Sequence, residues 1–353
     1  MNYREIIESI EKDLQQFPQK VLRAQEVLTD NPDCQVATTP ADVVYTEDKM
    51  KLLHYRSRGD KKNIHPTPVL IVYALINRYI MLDLEPGRSF IQNLLNEGLD
   101  VYLIDWGYPT GADRYLGLDD YINYYMDTAL EWIRSETKTK QINLMGVCMG
   151  GTFSVIYVAL HREKVKNLIT LATPTEFDID DAGLFLWAKE IDVDKAVEGL
   201  GNLPGDIANI LYLLVTPVAT VNKYIQFLEG VENPKFVSTF LRMEKWIFDS
   251  PDMAGEVFRE WIRDLLQQNL LIKNQLILDG QKVDLRKIKC PLLNVFGKND
   301  YLAPPSTAKP LSKAVSSKDV TTIGVDTGHV GIFVGSRSYK TISPKIAKWI
   351  RER

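Results

Sequence analysis

The sequence predicts an α/β protein: a mostly parallel sheet with helices on both faces, and a helical cap inserted in the second half. Three observations carry this. Short apolar runs recur along the chain and alternate with stretches of helical spacing. The runs are apolar at nearly every position, as in parallel strands buried on both faces. Between residues 176 and 285 the strand-like runs stop and helical patterns dominate.

In chain order, MNYREIIESIEKDLQQF (1–17) reads as a charged amphipathic helix. Residues 1–45 as a whole read as helix plus an irregular segment. PVLIVYAL (68–75) and DVYLIDW (100–106) read as buried strands. DDYINYYMDTALEWIRSE (119–136) has helical spacing. QINLMGV (141–147) is a strand, followed by a helix through GTFSVIYVALHREK and a strand at NLITLAT (167–173). PLLNVFG (291–297) and VTTIGV (320–325) complete the strand set, and SPKIAKWIRER closes as a helix. This alternation predicts right-handed βαβ units. Residues 46–175 and 286–353 are therefore expected to form the core. Residues 176–285 are expected to form the cap, without strands, bracketed by TPTEFD and KIKCP.

The 353 residues allow one α/β domain with an insertion and a large core. A formal charge of −4 argues against a general nucleic-acid surface, which carries a basic stripe. Cys34, Cys148 and Cys290 are too few and too scattered for a disulfide framework, and no C-x-x-C pair suggests a thiolate metal site. The N-terminal stretch lacks the apolar core of a signal peptide. The longest apolar run, NILYLLVTPVATV (209–221), is short and interrupted by Pro217, so no transmembrane segment is expected. The expected location is the cytoplasm.

NLMGVCMGGTF (143–153) carries the chemistry. Gly146-Val147-Cys148-Met149-Gly150 has the G-x-nucleophile-x-G spacing, between a strand and a helix as that motif requires. Glycines two positions either side remove side chains that would clash in a tight turn. The positive end of the following helix stabilises negative charge on the sulfur. The plain alternative is a buried cysteine in a Gly-rich turn.

A nucleophile at such a turn needs an acid and a base, in chain order nucleophile, acid, base. Of four histidines, His54 is expected in an edge strand and His65 in a loop. His161 sits where the helix after the turn ends. His329, in DTGHVGIF just after the last strand, is the favoured base. Asp300, in NVFGKNDYLAPP just past strand 291–297, is the favoured acid, with Asp326 the second choice. The oxyanion hole needs two backbone N–H donors. Met149 is one. Ile76, in YALINRY (73–79), is the other choice. Arg78 would hold a phosphate or be solvated.

These motifs together resemble the polyhydroxyalkanoate synthases. The resemblance is carried by the Cys148 box, YALINRYIMLDLEP, DVYLIDWGYP, LDDYI, FLRMEKWIFDSPD, NDYLAPP and GHVGIFV, and it runs from about residue 40 to the C-terminus, including the cap. It implies an α/β-hydrolase fold with a cap, and Cys148, Asp300 and His329 as the catalytic residues. It implies polymerisation of 3-hydroxyacyl-CoA, short-chain 3-hydroxybutyryl-CoA in particular, into polyester with release of CoA. No cofactor or metal is implied, CoA being part of the substrate and a product. LIDWGYP and RMEKWIFDSPD resemble the class III catalytic subunit, which pairs with a smaller subunit of the PhaE type. The partners implied are that subunit, in a homodimer or hetero-oligomer, and the surface of the growing polyester granule.

The resemblance gives the cysteine a chemical reason. Exchange between a thiol and a thioester is nearly balanced in energy, so the acyl group on Cys148 stays activated. A serine ester would be too stable to drive transfer onto the next hydroxyl. A cysteine hydrolase acting as a thioesterase, depolymerase or lactone hydrolase would use the same three residues and release the acyl group to water. A non-catalytic granule-coat protein would have no need of them.

Overall fold

A computed structural model describes residues 3–29, 34–56 and 64–353. Its centre is one eight-stranded sheet. The strands are β1 (Ala41–Glu47), β2 (Met50–Tyr55), β3 (Val69–Val72), β4 (Val101–Asp105), β5 (Ile142–Val147), β6 (Val165–Leu171), β7 (Leu292–Gly297) and β8 (Val320–Val325). They lie side by side as β1-β2-β4-β3-β5-β6-β7-β8. β1 and β2 pair antiparallel, as do β2 and β4, and all later neighbours are parallel. Val69, Leu70, Ile71 and Val72 have no solvent exposure. That is why this strand carries no polar alternation. The order reverses around β3 and β5, and in open α/β sheets ligands bind beside such a reversal, beyond the strands' carboxyl ends.

The helices outside the cap include α1 (Tyr3–Thr29), α2 (Phe90–Asn96), α3 (Asp127–Thr137) and α4 (Met149–Leu160). α4 is buried from Met149 to Ala159, because it runs between β5 and the covering layers. Between β6 and β7 lie α5 (Gly183–Lys189), α6 (Val193–Leu200), α7 (Gly205–Val215), α8 (Pro217–Gly230), α9 (Pro234–Phe248) and α10 (Gly255–Glu260), the last continuing into a π-helical turn, Trp261–Gln267. This is the cap. α9 is tied to the core through Glu85, whose carboxylate accepts from Thr239 Oγ1 (3.0 Å) and Arg242 Nη1 (3.2 Å).

The structure differs from the sequence expectation in four places. The sheet starts at Ala41, within the segment read as helix plus irregular chain, because β1 is a half-exposed edge strand with a bulge after Val43 and has no clean alternation. His54 accordingly lies on β2, one strand in from the edge. α1 runs on past Pro18 to Thr29 and packs Ala24 against Phe227, Val231 and Val237 of the cap. The stretch expected to lack strands holds a two-residue hairpin, Ile277–Leu278 with Gln281–Lys282, closed by Asp279 and Gly280 at positive φ.

Among the described residues, no helix is long and apolar enough to cross a membrane.

Candidate active site

Cys148 joins β5 to α4 with φ 53° and ψ −123°, a conformation that side chains other than glycine rarely adopt. The turn is held by backbone bonds. Cys148 N–H donates to Leu171 O (2.9 Å), and its carbonyl accepts from Gly151 N–H (2.9 Å). The glycines around it answer to packing. A Cβ on Gly146 would sit 2.6 Å from Ser154 Oγ, and one on Gly150 would run into the carbonyl oxygens of Val72 and Tyr73. The first turn of α4 therefore lies directly against the chain leaving β3.

Asp300 and His329 come from the loops after β7 and β8. These loops are zipped together: Lys298 N–H donates to Val325 O (2.7 Å) and Asn299 N–H to Thr327 O (3.1 Å). The zipper brings Asp300 Oδ2 to 2.7 Å from His329 Nδ1. Asp300 is 3% exposed, and its Oδ1 accepts from the N–H groups of Leu302 and Ala303, each at 2.9 Å. An ionised carboxylate can only accept, so His329 carries its proton on Nδ1. Nε2 is left for another partner, and His329 lines the same cavity as Cys148. Burial alone would make His329 less basic. The neighbouring Asp300 carboxylate, with Cys148 acting in the same direction, outweighs it and holds the imidazole pKa well above its ordinary value.

Cys148, Met149, His329 and Ile76 line one cavity of about 400 Å³. The cap supplies much of the rest, including Phe185, Leu203, Tyr212, Trp246, Phe258 and Trp261. The N–H of Met149, the first residue of α4, has no acceptor one turn back, as at any helix start. Ile76 lies on the chain that leaves β3 and packs against α4. That chain is supported from β4, where Trp106 Nε1 donates to Tyr73 O (2.9 Å).

The structure thus brings Cys148, Asp300 and His329 together, and it separates the other candidates from them. His161 caps the far end of α4, about 18 Å along the helix. There its Nε2 lies 2.8 Å from Asn123 Oδ1. Asp326 is exposed and accepts from Asn299 Nδ2 (2.9 Å). His54 pairs with Asp100 (2.8 Å), and His65 bonds within its own loop, to Thr67. Arg78 is half-buried rather than solvated: its guanidinium spans Asp105 (3.2 Å) and Asp249 (3.4 Å). Sequence reasoning overlooked Asn77 and Asn209, which also line the cavity. The one signal for the first was an Asn directly after a strand-end loop, where positive φ is common.

Comparison with known proteins bears on the family and the fold. The family model for the "alpha/beta hydrolase fold" matches residues 67–336, and that for the "Poly-beta-hydroxybutyrate polymerase (PhaC) N-terminus" matches residues 7–94. Two relatives carry the name "Poly(3-hydroxyalkanoate) polymerase subunit PhaC". That of Allochromatium vinosum is 42% identical, and that of Thiocystis violacea 40% identical. Each alignment covers 98% of this chain and 98% of the relative. Among solved structures, a hydrolase from Pseudomonas aeruginosa superposes with a TM-score of 0.52 at 13% identity, covering 89% of this chain and 99% of its own. At that identity the likeness speaks for the fold alone.

Proposed function

The chain belongs to the PhaC family of poly(3-hydroxyalkanoate) polymerases, and from that premise we propose that it builds polyester from 3-hydroxyacyl-CoA through a thioester on Cys148. The observation that carries the reading is an apolar cavity lined by Cys148 and His329, with the buried Asp300 bonded to His329. Cys148 sits on a strained turn and shares the cavity wall with His329, and Asp300 holds His329 at 2.7 Å.

The Cys148 sulfur attacks the acyl carbonyl, forming the C–S bond to the enzyme. The thiol proton passes to His329 Nε2, and the CoA sulfur leaves, taking the electron pair of the broken C–S bond and a proton from the imidazolium. Met149 and Ile76 are the donors proposed for the oxyanion formed on the way. The hydroxyl of an incoming unit or chain end then attacks the acyl-Cys148 carbonyl, with His329 taking its proton and Cys148 leaving. An ester bond replaces the thioester, and the thiol is restored. The apolar cap keeps water from competing for the acyl group.

The substrate is proposed to be short, 3-hydroxybutyryl-CoA, and the chain to act as a class III catalytic subunit with a smaller partner of the PhaE type at the surface of polyester granules in the cytoplasm. A homodimer or hetero-oligomer is the proposed assembly. No cofactor or metal takes part in this scheme.

The test is incubation with 3-hydroxybutyryl-CoA, following free CoA and insoluble polyester together. Both are expected from the native chain and neither from Cys148→Ala. CoA release with soluble 3-hydroxybutyrate and no polymer would identify a hydrolase instead. Full activity in Cys148→Ala would remove the covalent scheme.

A further inference from the structure

We propose that Asn77 and Asn209 form a latch between the cap and the loop after β3, so that the Ile76 N–H is in place only when the cap covers the cavity. The proposal rests on the reading of Cys148 as nucleophile and Ile76 as an oxyanion donor.

The loop is anchored at both ends, from opposite sides. At its start, Tyr73 O is held by Trp106 of the β4 end. At its end, Arg78 O accepts from Trp246 Nε1 of α9 (2.9 Å). Between them Asn77 has φ 57°, which Asn tolerates better than most residues. Its N–H donates to Ser250 Oγ (3.3 Å), just past α9. Its side-chain Nδ2 donates to Ile247 O (3.2 Å) and to Asn209 Oδ1 (3.3 Å). Asn209, on α7 and 4% exposed, donates its own Nδ2 to the same Ile247 carbonyl (2.6 Å). One backbone oxygen of α9 thus receives an amide from the loop and another from α7.

Residue 77 shares a peptide group with Ile76, so bonds that fix Asn77 also restrict the backbone that aims the Ile76 N–H. Arg78 adds a second tie between core and cap, bridging Asp105 at the end of β4 and Asp249 just past α9. The cap-side bonds come from α7 and the end of α9, the two elements that would have to move for the cavity to open at that wall. Opening there breaks the Asn77 bonds and frees the loop. Acyl transfer is then tied to the covered state, in which the thioester is shielded from water. Neither asparagine touches the reacting atoms in this scheme. Both are positioning residues.

The test uses Asn209→Leu, which removes donor and acceptor at similar size, and Asn77→Asp, which removes the donor while tolerating positive φ. Rapid mixing with 3-hydroxybutyryl-CoA reads the acylation burst. Alkylation of Cys148 by iodoacetamide, a displacement at saturated carbon that needs no oxyanion hole, reads the thiol alone. The burst rate at saturation is expected to fall roughly 10- to 100-fold in each variant, with half-saturation changed less than about 3-fold. Alkylation is expected to stay within about 2-fold of the native rate. The double variant is expected to be no worse than the worse single one, because both break one unit. Alkylation slowing in step with acylation would overturn the latch, since the asparagines would then merely support the thiol or the cap. An unchanged burst would overturn it equally. Native activity that survives complete alkylation of Cys148 is a separate result: it removes the nucleophile itself, and the latch with it.

Discussion

In the proposed scheme, Asp300 and His329 divide the work unequally. Attack by a thiol needs only a proton acceptor, which His329 supplies. Chain extension is harder, because a secondary hydroxyl must be activated, and the imidazolium that results needs the carboxylate held 2.7 Å away. Asp300→Asn is therefore expected to load Cys148 but extend slowly, giving a near-stoichiometric burst of CoA and then a slow phase. Equal loss of both phases would move Asp300 into the acylation step. His329 also links the site to stability. Its proton is bound more tightly in the folded chain than in the unfolded one. That contribution is complete below about pH 6.5, the ordinary value, and fades as pH rises through the raised folded value. Thermal melts of the native chain and His329→Gln are expected to differ most on the acid side and to converge as the medium turns alkaline. A gap that widens with pH would contradict the sign.

The turn between β5 and α4 works as an element because three backbones crowd into it. α4 starts against the Val72 and Tyr73 carbonyls, and only a residue without Cβ fits at Gly150. Gly150→Ala is expected to cost about 1–3 kcal/mol of stability, as overpacking of a dense site does. It also pushes on the segment leading to Ile76, so acyl transfer is expected to fall further than the melting temperature alone would suggest. Calorimetry and burst kinetics on the same preparation check the two effects. A variant with native stability and native burst would show that the loop yields freely. The alternation of strands and helices was legible in the sequence because each buried strand is mostly apolar, broken only at positions such as Asn143, Asn167, Thr170 and Asn294. β1 was not, since an edge strand with intermediate and exposed positions lacks that signature. α6, VDKAVEGL, also escaped, being short and buried only at Val193.

On the scale of the whole molecule, the chain matches PhaC relatives along 98% of both lengths, and those relatives are named as subunits. The proposed partner follows from that and from the class III motifs. Polymer formation by the chain alone is expected to be slow, and to rise at least about tenfold, roughly 1.4 kcal/mol of barrier, when a class III partner is added. Equal specific activity with and without the partner would count against it. The cap and the core act together at this scale. The core supplies Cys148 and His329 to the cavity, with Asp300 bonded to His329, and cap residues line the rest of it.

The sequence by itself determined the parallel strands, the run of helices between β6 and β7, and the placing of Cys148, Asp300 and His329 just past strand ends. Apolar runs, glycine spacing and chain order are local properties, and the strand ends deliver their loops to one side of the sheet whatever the details. Choosing Asp300 over Asp326 was a statement about loops, and only the tertiary structure decided it. The zipper between the loops after β7 and β8 turns one carboxylate inward to His329 and leaves the other beside Asn299 and Arg337. Arg78 shows the same limit: its partners Asp105 and Asp249 are 27 and 171 positions away. The bonds joining Asn77, Asn209 and Ile247 likewise cross from core to cap. No spacing rule reaches that far, because such contacts depend on how two separately patterned layers pack.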